Sequence, residues 1–271
     1  MRPSREITSR HRAKKHQASQ TARVGLARAL SKLGFCSRSH AVALIRAGRV
    51  RLNAVIRRDP ETPVLLGKDH IEIGGQAIQQ ADKVYLMLNK PRGIVTTASD
   101  EKGRQTVYDI LPFTLRQKNI WLAPVGRLDK ASEGLLLLTN DSEWAARIID
   151  PNSHLDKTYH VQIGIVAGDA LLGALAKGVS SSGEHLRAKR AALLRQGERN
   201  SWLEIVLDEG KNRQIRRMFE ARQIEVLRLI RVAIGPLPLG DLAKGAMRAL
   251  TATEVAQFTH RHHQSLPKSP S

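Results

Sequence analysis

Cysteine is nearly absent. Cys36 is the one thiol in 271 residues, which excludes an intrachain disulfide framework and a cysteine-ligated zinc cluster and fits a reducing cytoplasm. No stretch approaches the ~18 consecutive apolar residues of a membrane-spanning helix, and no basic segment leads into a signal-like apolar run. A soluble, cytoplasmic chain is therefore expected. Aromatics make up 4% of the sequence, with three tyrosines, so composition announces no aromatic stacking cluster. Glycine-rich loops of the GxxxxGKS/T or GxGxxG kind are missing, leaving a nucleotide triphosphate or dinucleotide site unsupported. Histidines at metal-binding helical spacing are missing too, since His260, His262 and His263 fall in a polar tail. Acidic residues are in deficit: 25 Asp plus Glu against 44 Lys plus Arg gives a formal net charge of +19. That excess indicates a polyanionic partner rather than a fold.

What is present falls into two parts. Residues 1–21 hold many cations and almost no apolar side chains, and read as a disordered basic arm. Val24 to Asn53 has a helix–helix–strand rhythm. Val24, Leu26, Ala27, Leu30 and Leu33 form a helical stripe stopped by Gly34, and Ser37 caps a second helix that ends near Gly48. Val50, Leu52 and Ala54 then alternate as a strand. Arg38, Arg46 and Arg49 lie among the cations of the other faces. Polar Gln76–Asp82 reads as a linker, which places a small domain over residues 22–80 and a larger one over 81–260, followed by a polar tail at 261–271.

In the larger part, Val84–Leu88 reads as a strand, as do Ile94–Thr97, Lys157–Ile165, Leu186–Leu194, Trp202–Leu207 and the segment from Val226. Helices are expected after Ser142, over Asp169–Lys177, from Asn212, and after a Thr251–Glu254 capping box. Many strands with few short helices indicate an α+β fold around a mostly antiparallel sheet.

The chain is organised around Gly126-Arg127-Leu128-Asp129-Lys130-Ala131-Ser132-Glu133-Gly134, which runs into Leu135–Leu138 and Asn140-Asp141. The four leucines read as a short strand buried on both faces, because an amphipathic helix would interrupt them with polar residues. Asp129 thus lies in a loop entering a core strand, flanked by Arg127 and Lys130 and bounded by glycines. Such a loop suits an active site held by a rigid scaffold, and a turn-capping aspartate is the plainer alternative.

This string resembles the signature loop of the RsuA-type family of ribosomal RNA pseudouridine synthases. Further segments follow the family's order: Asn89-Lys90-Pro91-Arg92-Gly93, Lys157-Thr158-Tyr159, Glu209 to Met218, and Leu227 to Gly235. Leu33-Gly34-Phe35-Cys36-Ser37-Arg38 with Ile45 to Val50 resembles the S4 RNA-binding module that the family carries at its N-terminus. The resemblance implies a monomeric enzyme that isomerises uridine in a structured rRNA stem-loop, without metal or organic cofactor. It makes Asp129 the catalytic carboxylate, as nucleophile or as base, and has Tyr159 stack on the target base. Arg127 would fill the gap left by the extruded base. Arg38, Arg46, Arg49, Lys211, Arg213 and Arg217 are expected at RNA phosphates. Arg216, at the edge of the buried Ile215–Met218–Phe219 stripe, is expected to pair with Asp129.

Overall fold

The computed structural model describes residues 23–98, 100–112 and 120–259. The basic arm and the polar tail expected from the sequence lie outside them. Contacts divide the described residues into two units, one of residues 23–30 and Arg38–Gln79, the other of Ser31–Ser37 and the described residues from Gln80 onward.

In the first unit, helices α1 (Leu26–Lys32) and α2 (Arg38–Arg46) bury Leu26, Leu30, Ala41 and Ile45. Strands β1 (Val50–Leu52), β2 (Val55–Arg57), β3 (Ile71–Ile73) and β4 (Gln76–Ala77) form one sheet in the order β2-β1-β3-β4. Ala54, expected in a strand, sits with Asn53 in a two-residue turn. Both have positive φ (52° and 67°), the conformation that matches a tight hairpin to strand twist. Arg38, Arg46 and Arg49 are all exposed.

In the second unit a nine-stranded sheet is built from β5 (Tyr85–Lys90), β6 (Ala123–Val125), β7 (Glu133–Thr139), β8 (Lys157–Ile163), β9 (Arg190–Gln196), β10 (Ser201–Leu207), β11 (Val226–Ile234), Leu237–Pro238 and β12 (Met247–Ala249). The main order is β9-β10-β8-β11-β7-β5-β12. Every pairing is antiparallel except β11 with β7, where Ile230 faces Glu133 and Arg231 faces Gly134. All seven residues of β7 are buried, as the unbroken leucines require.

Helices α3 (Ser142–Ile149), α4 (Asp169–Lys177), α5 (Gln214–Glu220) and α6 (Ala252–Ala256) complete this unit. Leu171 and Leu175 of α4 and Ile215, Met218 and Phe219 of α5 pack with Val161, Leu203, Ile205 and Leu229 on one sheet face. On the same face, Leu86, Leu88, Leu136 and Leu138 form a cluster with Leu128; Tyr159 packs against both. Trp144, Ile148 and Phe258 cover Met87, Leu135 and Leu137 from the opposite side.

The Thr251–Glu254 capping box forms as read. Other local expectations need correction: Val24, read in the first helical stripe, pairs with Val64 in a short strand ahead of α1, and Gln76–Ala77, read as the start of the linker, form β4. The cap of α3 is Asp141, whose carboxylate accepts from the backbone of Glu143 and Trp144. Val95 makes only an isolated bridge to Thr106, so 94–97 is not a strand. Leu186 belongs to a separate small hairpin, Val179–Ser181 with Glu184–Leu186, so the long hairpin strand begins only at Arg190. Helix α5 begins at Gln214, two residues later than expected.

Candidate functional site

Asp129 stands in the turn between β6 and β7, partly exposed, and the turn is fastened from several sides. Ser132 N–H donates to the Asp129 carbonyl at 3.0 Å, Gly93 N–H to the Lys130 carbonyl at 2.8 Å, and Thr96 Oγ1 to the Leu128 carbonyl at 2.8 Å. Lys90, the last residue of β5, is fully buried. Its ammonium donates to the carbonyls of Pro91 (3.1 Å), Asp129 (3.2 Å) and Ser132 (2.9 Å). One buried cation thus ties both ends of the tetrapeptide Asp129–Ser132 to the neighbouring strand. Sequence reasoning places Lys90 within a motif but assigns it no task, although a lysine closing an apolar strand is an available signal.

Burial pushes Lys90 down to about 8 from its ordinary 10.5, against the pull of the Asp129 and Glu133 carboxylates. Between those two values the unfolded chain holds the proton and the folded chain releases it, so the Lys90 contribution to stability rises with pH across that window. Its ammonium hydrogen bonds run the other way: all three carbonyls are served below about pH 8, whereas above it the neutral amine keeps two donors for three acceptors and no charge. A profile of single-turnover rate against pH is therefore expected to fall through about 8 without a matching loss of thermal stability. In Lys90→Met that alkaline fall should disappear; its persistence would assign it to another group.

Glu133 begins β7 with a side chain 4% exposed. It receives Arg228 Nε at 3.2 Å and Lys244 Nζ at 2.5 Å. Burial alone would raise its pKa, but the hydrogen bonds from Lys244 and Arg228 outweigh that and hold the carboxyl below the usual range.

The expected Arg216–Asp129 ion pair is not formed. Arg216 Nη2 instead donates to the carbonyl of Ala131 at 3.0 Å and Nη1 to that of Val226 at 3.4 Å. Among the described residues it is Arg213 that pairs with the Asp129 carboxylate, with Nη1 3.9 Å from Oδ2. The cause is local. Arg213 precedes α5 in a left-handed conformation (φ 48°, ψ 31°), so a helical wheel drawn from Asn212 assigns it the wrong direction. Burial, then the charge of Arg213, lowers the pKa of Arg216, while Asp129 pulls it up. Arg216 therefore lies within the field of Asp129 while holding the loop's backbone.

Arg217 and Lys211, expected at phosphates, are held within the chain. Arg217 Nη1 pairs with Glu184 at 2.6 Å and its Nη2 donates to the Ser181 carbonyl at 2.8 Å; Lys211 Nζ donates to the His185 carbonyl at 3.0 Å. The Val179–Leu186 hairpin folding against α5 supplies these partners, and nothing in α5 itself foretells it. Arg127 is exposed beside Gly126.

Tyr159 is partly buried in β8, opposite Arg231 of β11. It packs against the cluster that contains Leu128, the neighbour of Asp129, and so lies on the sheet face that carries the loop. Arg231, 6% exposed, is missed by sequence reasoning; its Nε donates to the Leu135 carbonyl at 2.8 Å. A carboxylate beside Arg213 and a ring on the same sheet face make a site suited to a flat-ringed substrate carried on a polyanion. The open cleft of about 370 Å³ next to it is lined by Arg213, Arg216, Glu220 and Glu225 and includes neither Asp129 nor Tyr159.

A family model described as RNA pseudouridylate synthase matches residues 84–221, and an S4 domain model matches residues 24–71. The chain is 37% identical to the ribosomal large subunit pseudouridine synthase B of Bacillus subtilis (strain 168) over 237 residues, 86% of this chain and 94% of that protein. An uncharacterized RNA pseudouridine synthase of Aquifex aeolicus (strain VF5) is 34% identical, over 84% of this chain and 91% of its own. A crystal structure of a pseudouridylate synthase superposes with a TM-score of 0.61 at 30% identity, covering 87% of this chain and 99% of that one. With the signature loop, the sheet and the N-terminal module all in agreement, the chain belongs to the RNA pseudouridylate synthase family, in the RsuA-type form that places an S4 domain ahead of the synthase domain.

Proposed function

We propose that this enzyme converts one uridine of ribosomal RNA to pseudouridine, acting as a cytoplasmic monomer. The observation that carries the reading is the placement of Asp129: a partly exposed carboxylate in a loop pinned by Lys90 and Arg216, with Arg213 beside it. The reaction breaks the N1–C1′ bond, turns the base and joins C5 to C1′; C5 loses a proton and N1 gains one. Atoms balance within the nucleotide, so no co-reactant is needed. Positive charge develops at the sugar during cleavage, and Asp129 answers it by attacking C1′ or by removing the C2′ proton.

The target must leave its stack at a cost of a few kcal/mol. Arg127, exposed at the start of the loop, fills the space it leaves. Tyr159 holds the freed ring by stacking, worth about 1–3 kcal/mol per base on comparable platforms. In the S4-like unit, residues 22–80, Arg38, Arg46 and Arg49 grip the backbone of a structured stem-loop and the catalytic domain, residues 81–260, does the chemistry.

Incubation with uridine-labelled rRNA followed by assay for pseudouridine tests the reading, and an RNA recovered unmodified would overturn it. Binding to the same RNA is expected to weaken steeply with salt. Each phosphate contact contributes about −0.7 to −0.9 to the slope of log affinity against log salt. A flat response would contradict a phosphate-gripping mode.

A further inference from the structure

Strands β9, β10, β8 and β11 set Arg195, Trp202, Gln162 and Arg228 in one lateral row. Arg195 stands opposite Trp202, Trp202 opposite Gln162, and Gln162 opposite Arg228. Their strand neighbours Leu203, Val161 and Leu229 are buried under α4 and α5 on the face that also carries Tyr159. By alternation, the row therefore occupies the other face of the sheet.

Both arginines lie over the Trp202 ring, with Cζ 4.9 Å from its centroid for Arg195 and 5.5 Å for Arg228. Stacking engages the flat side of a guanidinium and leaves its in-plane N–H donors available. Arg228 directs Nε and Nη2 to Glu133. Arg195 is exposed and, among the described residues, makes no ion pair. The surroundings decide the sign of the surface. Arg190 and Lys244 are 63% and 54% exposed, whereas the carboxylates Glu204 and Glu133 are 21% and 4% exposed and already paired. On these strands the cations reach solvent further than the two paired acids, and Glu198 is exposed beside Arg199 in the β9–β10 turn.

We infer that this face is a second RNA-docking surface, holding the phosphate backbone of an rRNA strand outside the segment that enters the Asp129 site. The inference rests on the RNA-modifying function proposed above. Trp202 takes no base itself; it keeps the Arg195 guanidinium flat and extended, so that its fork of donors meets a phosphate with little side-chain ordering left to do. A partner of this chemistry is already at hand, because an rRNA substrate extends well beyond one target nucleotide and the whole chain carries a formal charge of +19.

The test compares wild type, Arg195→Gln and Trp202→Leu on two RNAs: a full-length rRNA transcript that the enzyme modifies, and the isolated stem-loop carrying the modified uridine. For Arg195→Gln, affinity for the full-length transcript is expected to fall about three- to tenfold, and the log–log salt slope to shrink by about 1. Affinity for the stem-loop and the single-turnover rate at saturating RNA should not change. Trp202→Leu should reproduce the loss in weaker form. Equal losses on both RNAs, or no loss on either, would overturn the docking surface. So would a fall in saturated rate at unchanged affinity, since that result means the stack only braces Arg228 against Glu133. Failure of the wild type to form pseudouridine in any rRNA is read separately and strikes the proposed function itself.

Discussion

Asp129→Asn is expected to lower the single-turnover rate of pseudouridine formation by about a thousandfold or more, because the amide neither attacks a sugar carbon nor takes its proton. RNA affinity should stay within about threefold. The ion pair with Arg213 that this substitution removes spans 3.9 Å between side chains 51% and 36% exposed, and such solvated pairs contribute well under ~1 kcal/mol. The loop's shape should survive as well, since Lys90, Thr96 and Arg216 hold backbone carbonyls and not the Asp129 side chain. Turnover near the wild-type rate would remove Asp129 from the chemistry. The two nearby arginines are separable in the same assay: Arg216→Ala releases the Ala131 carbonyl and should cost rate, while Arg213→Ala should cost mainly affinity. A reversed pattern would make the Arg213 side chain the working one.

The second large effect concerns stability. Gly134 has a φ of +100°, and a side chain there would fall onto the Arg231 carbonyl oxygen and come within 2.8 Å of the Arg231 nitrogen. Both atoms are backbone in the strand that pairs with β7, so no rotamer change relieves the clash. Gly134→Ala should destabilise the fold by about 3 kcal/mol or more, summing an unfavourable backbone region and overpacking. For a domain of this size that corresponds to a melting temperature lower by about 6–12 °C. Rate should fall further than affinity, since pushing β7 from β11 displaces the loop that β7 begins from. An alanine variant that melts within a degree or two of wild type would show that the two strands separate freely.

Legibility from sequence follows periodicity. The buried β7, the Asp169–Lys177 helix and the Thr251 capping box are each readable because their signals lie within a few residues: unbroken leucines, a 3.6-residue stripe, a capping quartet. Asp129 is visible for the same reason, as the one aspartate in a glycine-bounded loop before a core strand. What stays hidden depends on distant partners. The direction of Arg213 turns on a left-handed residue before α5, and the tethering of Arg217 and Lys211 on a hairpin some thirty residues upstream. Lys90 is hidden by its charge, since a fully buried lysine runs against the usual preference and is intelligible only once three carbonyls are seen around it.

The one parallel pairing between strands of the nine-stranded sheet among the described residues, Ile230 and Arg231 against Glu133 and Gly134, joins stretches almost a hundred residues apart in the chain. The partners β5 and β6 precede β7 in the chain, but the strand that pairs with its Glu133–Gly134 end, Val226–Ile234, is synthesised much later. Arg213 and Arg216 emerge only shortly before that strand. A nascent chain therefore holds its carboxylate well before it has the cations and the neighbouring strand that set it in place, and competence waits for Val226–Ile234.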